Sequence, residues 1–186
     1  MSPAEYKVSK NHTDILRANG LTRRRRDPML AMMGRRTYDF SVETSVSPER
    51  LLGAASDFSA LRPQIWPNVT AKHYKVHDSG ETWCDCTEGT GPFWERNKYD
   101  WSAPGLIRSE AVSSNIHVPP GRWEMRVGPG ATGGSRVDIH VERTFRGVRG
   151  VVVQTIVDLA GGGRFFKRGF QKTLDRLELE PAAYTA

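Results

Sequence analysis

Alternation of apolar and polar positions opens the readable part of the chain. Over residues 37–46, Tyr38, Phe40, Val42, Thr44 and Val46 share one parity, and Asp39, Ser41, Glu43 and Ser45 the other. A period of two predicts a half-buried strand. Ser47-Pro48-Glu49 then opens a helix, with Ser47 as N-cap, Pro48 at the first helical position and an acid in the first turn. Leu51, Leu52, Ala55 and Phe58 give that helix an apolar face. A second short helical turn is expected over residues 59–64, limited by Pro63 and Pro67. Strand-like runs follow at 69–77, 81–88, 93–101, 106–113, 122–127 and 135–145, each bounded by glycine, proline or Asp-Ser turn signals. Short links between such runs predict an antiparallel meander.

The last segment changes period. Residues 151–160 are rich in β-branched side chains, which propensity alone would allow as strand. Gly161-Gly162-Gly163 interrupts. Phe166, Phe170, Leu174 and Leu177 then recur at helical spacing. One long helix, kinked or broken at the glycines, is expected, with Arg164, Lys167, Arg168 and Lys172 on its polar side. This order suits an α+β fold in which a curved antiparallel sheet grips a C-terminal helix and leaves a space between them.

Composition adds bounds. A chain of 186 residues, 38% hydrophobic and 26% charged, fits one soluble globular domain. It has no apolar run of the roughly 20 residues a membrane-spanning helix needs. The basic N-terminus is not followed by an apolar stretch, so no secretory signal is expected and the cytoplasm is the expected location. The formal net charge of +6 is local. Residues 1–36 hold nine basic and three acidic side chains, while the remainder is balanced. The chain therefore divides into a basic extension (1–36), a domain (37–180) and a tail (181–186). The extension can meet an acidic partner or a membrane surface; a solvated leader is the plainer reading. Nucleic-acid binding is not expected.

Candidate chemistry follows from strand parity. On the 93–101 strand, Phe93, Glu95, Asn97, Tyr99 and Trp101 share one face, against Trp94, Arg96, Lys98 and Asp100 on the other. Aromatics mixed with a few polar groups suit a pocket wall. Trp123 and Met125 oppose Arg122, Glu124 and Arg126 in the same way. On the 81–88 strand, either Trp83, Asp85 and Thr87 or Cys84 and Cys86 face inward, and both rows stay open. The two cysteines read as reduced packing residues. Glu95 is the sharpest titratable candidate: burial would raise its pKa and let it move protons near neutral pH. The plainer reading is a glutamate satisfied by an arginine such as Arg108. His73 and His77 lie about 13 Å apart along a strand, and Asp138, His140 and Glu142 read as a solvated face, so no metal is expected. No phosphate cradle, zinc helix or dinucleotide fingerprint is present, and no cofactor is expected.

Taken with the element order, four segments carry a resemblance: 47–52, from Asp57-Phe58 to Trp66-Pro67, 94–101, and Gly133-Gly134-Ser135-Arg136-Val137. Over about residues 37–180 the chain resembles the START-like and polyketide cyclase superfamily, SRPBCC. The resemblance implies a helix-grip fold: about seven antiparallel strands wrapped around a long C-terminal helix, with a cavity for apolar ligands between them. Some members cyclise or dehydrate polyketides; others carry or sense lipids and hormones. On that basis Trp66, Trp83, Phe93, Glu95, Asn97 and Tyr99 are expected to line the cavity, together with Trp101, Trp123, Met125, Phe166 and Phe170. The function expected first is binding of a small hydrophobic, lipid- or polyketide-like molecule. The alternative is a cyclase, aromatase or dehydratase with Glu95 as proton carrier and Tyr99 and Asp85 as helpers. A third reading is an interaction module whose basic arm recruits an acidic partner.

Overall fold

The computed structural model describes residues 34–131 and 133–179. Seven strands among them are β1 (Arg35–Thr44), β2 (Lys75–Ser79), β3 (Trp83–Thr90), β4 (Phe93–Asp100), β5 (Leu106–Ser114), β6 (Arg122–Pro129) and β7 (Ser135–Thr144). They form one antiparallel sheet in the order β1-β7-β6-β5-β4-β3-β2. The helices are α1 (Pro48–Ser56), α2 (Arg62–Ile65), α3 (Gly147–Leu159) and α4 (Gly163–Leu179).

Register sorts every strand into two faces. The row Cys84, Tyr99, Ser109, Trp123, Val141 and Tyr38 runs across six strands as successive partners. Ile107, Met125, Ile139 and Phe40 make the next row, all on the face that packs the core. Against this face lie α1, through Leu51, Ala54 and Ala55, and α4, through Phe170, Thr173, Leu174 and Leu177. Ser47 caps α1, accepting a hydrogen bond from the Arg50 amide.

Three expectations need correction. Residues 69–74 are not strand. A 3-10 turn (Ala71–His73) replaces the ladder there, with the His73 amide bonded back to the Thr70 carbonyl. Only Lys75–Ser79 pairs with β3, as a fully exposed edge. The second helix starts later than expected, at Arg62, because Pro63 sits in its first turn, where a missing N–H is no loss, and so begins the helix rather than limiting it. β1 starts at Arg35. Arg35 pairs with Glu142, and Arg36 with Asp158 at 3.6 Å, so these two arginines are sheet residues, not part of a free arm. The rest of the basic extension, with its expected acidic partner or membrane surface, lies outside the described residues.

The C-terminal segment is helical on both sides of a break. Gly161 and Gly162 have φ of 88° and 55°, a backbone region that L side chains disfavour. The β-branched run 151–157 is helix despite its propensity. Gly150 brings α3 against the Ile116 carbonyl, where a Cβ would stand 2.4 Å away, and Gln154 and Val157 are buried along the same side. Tertiary packing overrides a weak local preference.

Candidate functional site

A cavity of about 550 Å³ lies between the inner face of the sheet and α4. That volume is within the range of small-molecule sites. Its aromatic wall is continuous. Trp66, placed by the end of α2, meets Trp123 of β6 edge-on at 6.3 Å and Phe170 of α4 at 6.3 Å. Tyr99 meets Trp123 at 6.4 Å, and Phe40 meets Phe170 at 6.4 Å. The Trp66 indole N–H donates to the Ala54 carbonyl at 3.3 Å, which fixes its ring. Phe165, 42% exposed, lines the cavity with Arg168 and Lys172, two exposed cations of α4.

Two carboxylates stand in this apolar wall. Glu88 of β3 and Glu95 of β4 are register partners on the inner face. Like charges placed directly opposite destabilise a sheet unless each is neutralised. Each is. Arg62, 3% exposed, donates from Nε to Glu88 Oε1. Its Nη1 donates to the Ala55 and Asp57 carbonyls at 3.1 and 3.3 Å. Its guanidinium lies 4.0 Å from the Phe58 ring centre and 5.0 Å from that of Tyr99. Burial works against the charge on Arg62, but Glu88, chiefly through its charge and its hydrogen bond, outweighs it and keeps the group cationic. The Tyr99 hydroxyl donates to Glu88 Oε2 at 2.6 Å. Burial and then Glu88 hold the Tyr99 phenol far above its usual ionisation, so it stays neutral.

Glu95 has its own partners. His117 Nε2 lies 2.7 Å from Oε2, and Arg143 Nη2 donates to Oε1 at 3.3 Å. An ionised carboxylate only accepts, so Nε2 carries the proton in this bond. Burial alone would raise the Glu95 pKa; Arg143 and His117 overcome it and bring the pKa down from 4.5 to about 2. Glu95 is therefore a fixed carboxylate and not the raised-pKa proton carrier expected from its strand face. Nor is its cation Arg108, which faces the other side and pairs with Asp100 at 3.4 Å. His117 is fully buried, packed against Gly121, where a Cβ would stand 2.9 Å from the ring.

Of the expected lining residues, Trp66, Glu95, Tyr99, Trp123, Phe166 and Phe170 line the cavity. Trp83 and Asp85 do not. Register puts Cys84, Cys86 and Glu88 inward and sends Trp83 and Asp85 to the outer face. There Asp85 takes a two-pronged bond from Arg96, at 2.7 and 2.9 Å, which lowers its pKa. Trp83 is 40% exposed. Phe93, Asn97, Trp101 and Met125 share the inner parity without reaching the cavity. Phe93 sits at the start of β4, and Trp101 stacks on Phe58 at 5.5 Å beyond its end. Met125 and Asn97 are covered completely, and neither polar atom of the Asn97 amide has a well-formed partner. Cys84 and Cys86 are free, buried thiols.

Sequence reasoning missed Arg62, Glu88, His117 and Arg143. One signal was available for Glu88. A two-residue turn at Gly91-Pro92 pairs Thr90 with Phe93 and so sets Glu88 across from Glu95.

No family model and no curated protein matches the chain. Solved structures do. The Zhui aromatase/cyclase from Streptomyces sp. R1128 superposes with a TM-score of 0.63 over 81% of this chain and 98% of that one, at 9% identity. Norcoclaurine synthase from Thalictrum flavum, in complex with dopamine and hydroxybenzaldehyde, gives 0.54 over 83% and 92%, at 14% identity. A START superfamily protein from Mycobacterium smegmatis gives 0.50 over 70% and 97%, also at 14% identity. At these identities the likeness is one of architecture, and it agrees with the sheet order and the terminal helix described above. The chain has the helix-grip fold of the START-like superfamily.

Proposed function

We propose that the protein binds a small, largely apolar molecule, lipid- or polyketide-like, in the cavity between the sheet and α4. The observation that carries this reading is the cavity of about 550 Å³, walled by aromatic rings that pack against one another without filling it. Apolar area gives affinity in such a site, and a few fixed polar groups give orientation. Binding is favoured over a cyclase or dehydratase role because the expected acid–base group is absent as such. Glu95 is ionised and doubly paired, the Tyr99 proton is held by Glu88, and Asp85 is on the far face.

Titration with a neutral, environment-sensitive naphthalene dye such as Prodan tests this. The expected result is a saturable one-to-one blue shift. It should be lost in Ser109→Trp, which places an indole in the middle of the cavity wall. Absence of saturable binding, or unchanged binding by a Ser109→Trp protein with native circular dichroism, would overturn the reading.

A further inference from the structure

We infer that the ligand carries a neutral hydroxyl, phenolic or alcoholic, that donates a hydrogen bond to Glu95. This deepens the cavity reading and rests on it. The buried donors beside the two carboxylates are committed, whereas Arg168 and Lys172 line the cavity as exposed cations of α4. Arg62 is used by Glu88 and the Ala55 and Asp57 carbonyls. Arg143 is used by the Arg122 and Glu142 carbonyls and by Glu95. The Tyr99 hydroxyl is used by Glu88.

Acceptor capacity is distributed differently. Glu88 is closed: its side chain is 6% exposed, and each oxygen has its donor. Glu95 is open. Its side chain is 26% exposed and lines the cavity, while each oxygen receives one well-formed hydrogen bond and the Asn97 amide adds a weaker polar contact. A carboxylate offers about four lone-pair directions, so part of its capacity is unmet. An apolar ligand lacking a donor would cover that carboxylate without replacing its hydration, which is costly. A ligand with a donor placed there removes the cost.

Charge separates a hydroxyl from an ammonium. Glu88 and Glu95 are matched by Arg62 and Arg143, so the pair of carboxylates presents no net negative charge. Arg168 and Lys172, lining the same cavity, repel a cation. Ser109 also lines the cavity, but its hydroxyl turns either way and selects for neither donor nor acceptor.

Matched naphthalenes test this by isothermal titration near pH 6, well below the ionisation of a phenol. The full chain is titrated with 2-naphthol, 2-methoxynaphthalene and 2-naphthylmethylammonium. The expected result is that 2-naphthol binds about tenfold or more tightly than either of the others, the scale of one hydrogen bond to a charged group. In Glu95→Gln the preference over the methyl ether should fall to about threefold or less, since the acceptor becomes neutral. Equal binding of naphthol and its methyl ether by the unaltered protein would overturn the inference, and this arm needs no variant to fold. So would tighter binding of the ammonium, or a preference unchanged in a folded Glu95→Gln. Tight binding of the methyl ether alongside any of these leaves the cavity reading standing; failure of all three ligands to bind overturns the cavity reading and this inference with it.

Discussion

Arg62 shows what a charge costs inside an apolar wall. Its guanidinium is stacked among aromatic rings and ties Glu88 to the Ala55 and Asp57 carbonyls. Removing one partner of a buried pair leaves the other uncompensated, at roughly 3–5 kcal/mol. Arg62→Met should lower unfolding stability by that order in urea titrations, and Arg62→Met with Glu88→Gln should recover a large part of it. Strict additivity of the two losses would show that the pair is not coupled. Asp85→Asn is the contrasting case. Its partner Arg96 is exposed, so the loss should be under about 1 kcal/mol, with ligand affinity unchanged; a loss of affinity would put Asp85 in the site after all. Individual residues were legible where alternation was clean. The inner row of β4 pointed to Glu95 and Tyr99 because the opposite row is mostly charged, and β6 pointed to Trp123 because charged and apolar positions alternate over residues 122–127. On β3 the pattern reads Trp83-Cys84-Asp85-Cys86, an aromatic and a carboxylate on one parity and two small thiols on the other, and parity alone cannot choose a face. Arg62 and Arg143 were invisible as site residues, since a charge in a sequence reads as solvent-facing until a partner is known, and Glu88 could be placed only through the turn that sets it across from Glu95.

Elements were legible to the extent that a period was visible. β1 and β4–β7 lie close to where alternation puts them. α4 shows its helical stripe plainly, through Phe170, Leu174 and Leu177. α3 does not. Val148, Val152 and Ile156 remain exposed while Val157 is buried, so apolar residues lie on both sides and no face stands out. The glycine break between the helices is a conformational requirement. Gly161 and Gly162 hold positive φ, and an L side chain there costs roughly 1–2 kcal/mol per residue. Gly161→Ala and Gly162→Ala should each lower the thermal midpoint accordingly, Gly162 the more, because its Cβ would also stand 3.1 Å from the Tyr38 ring. A raised midpoint would mean that a continuous helix is compatible with the fold.

The whole molecule has an acid sensitivity whose source can be assigned. The Glu95 pKa is depressed on folding from 4.5 to about 2. A depressed pKa means that the contribution to stability is fully present above about 4.5 and is lost as pH falls toward 2. Asp85, Asp100 and Asp138 are also lowered, by exposed arginines or by local hydrogen bonds. Added salt of about 0.5 M screens the exposed pairs far more than the enclosed one. Urea midpoints in that salt should therefore still fall across this window in the unaltered protein, and distinctly less in Glu95→Gln. An identical slope in both would remove Glu95 from the account. At this scale the architecture was legible because strand count, turn spacing and a terminal helix constrain topology strongly. The element order and the resemblance led to the expectation of a cavity, but not to its volume, which depends on how far α4 stands from the sheet and which no local pattern encodes.

The most direct test of the hollow between the sheet and α4 is crystallographic. Crystals grown with 6-bromo-2-naphthol should show an anomalous bromine peak enclosed by Trp66, Trp123 and Phe170, with the hydroxyl within hydrogen-bond reach of Glu95. A sheet and helix packed tight, with those rings filling the space and bromine found only on the outer surface, would contradict the account.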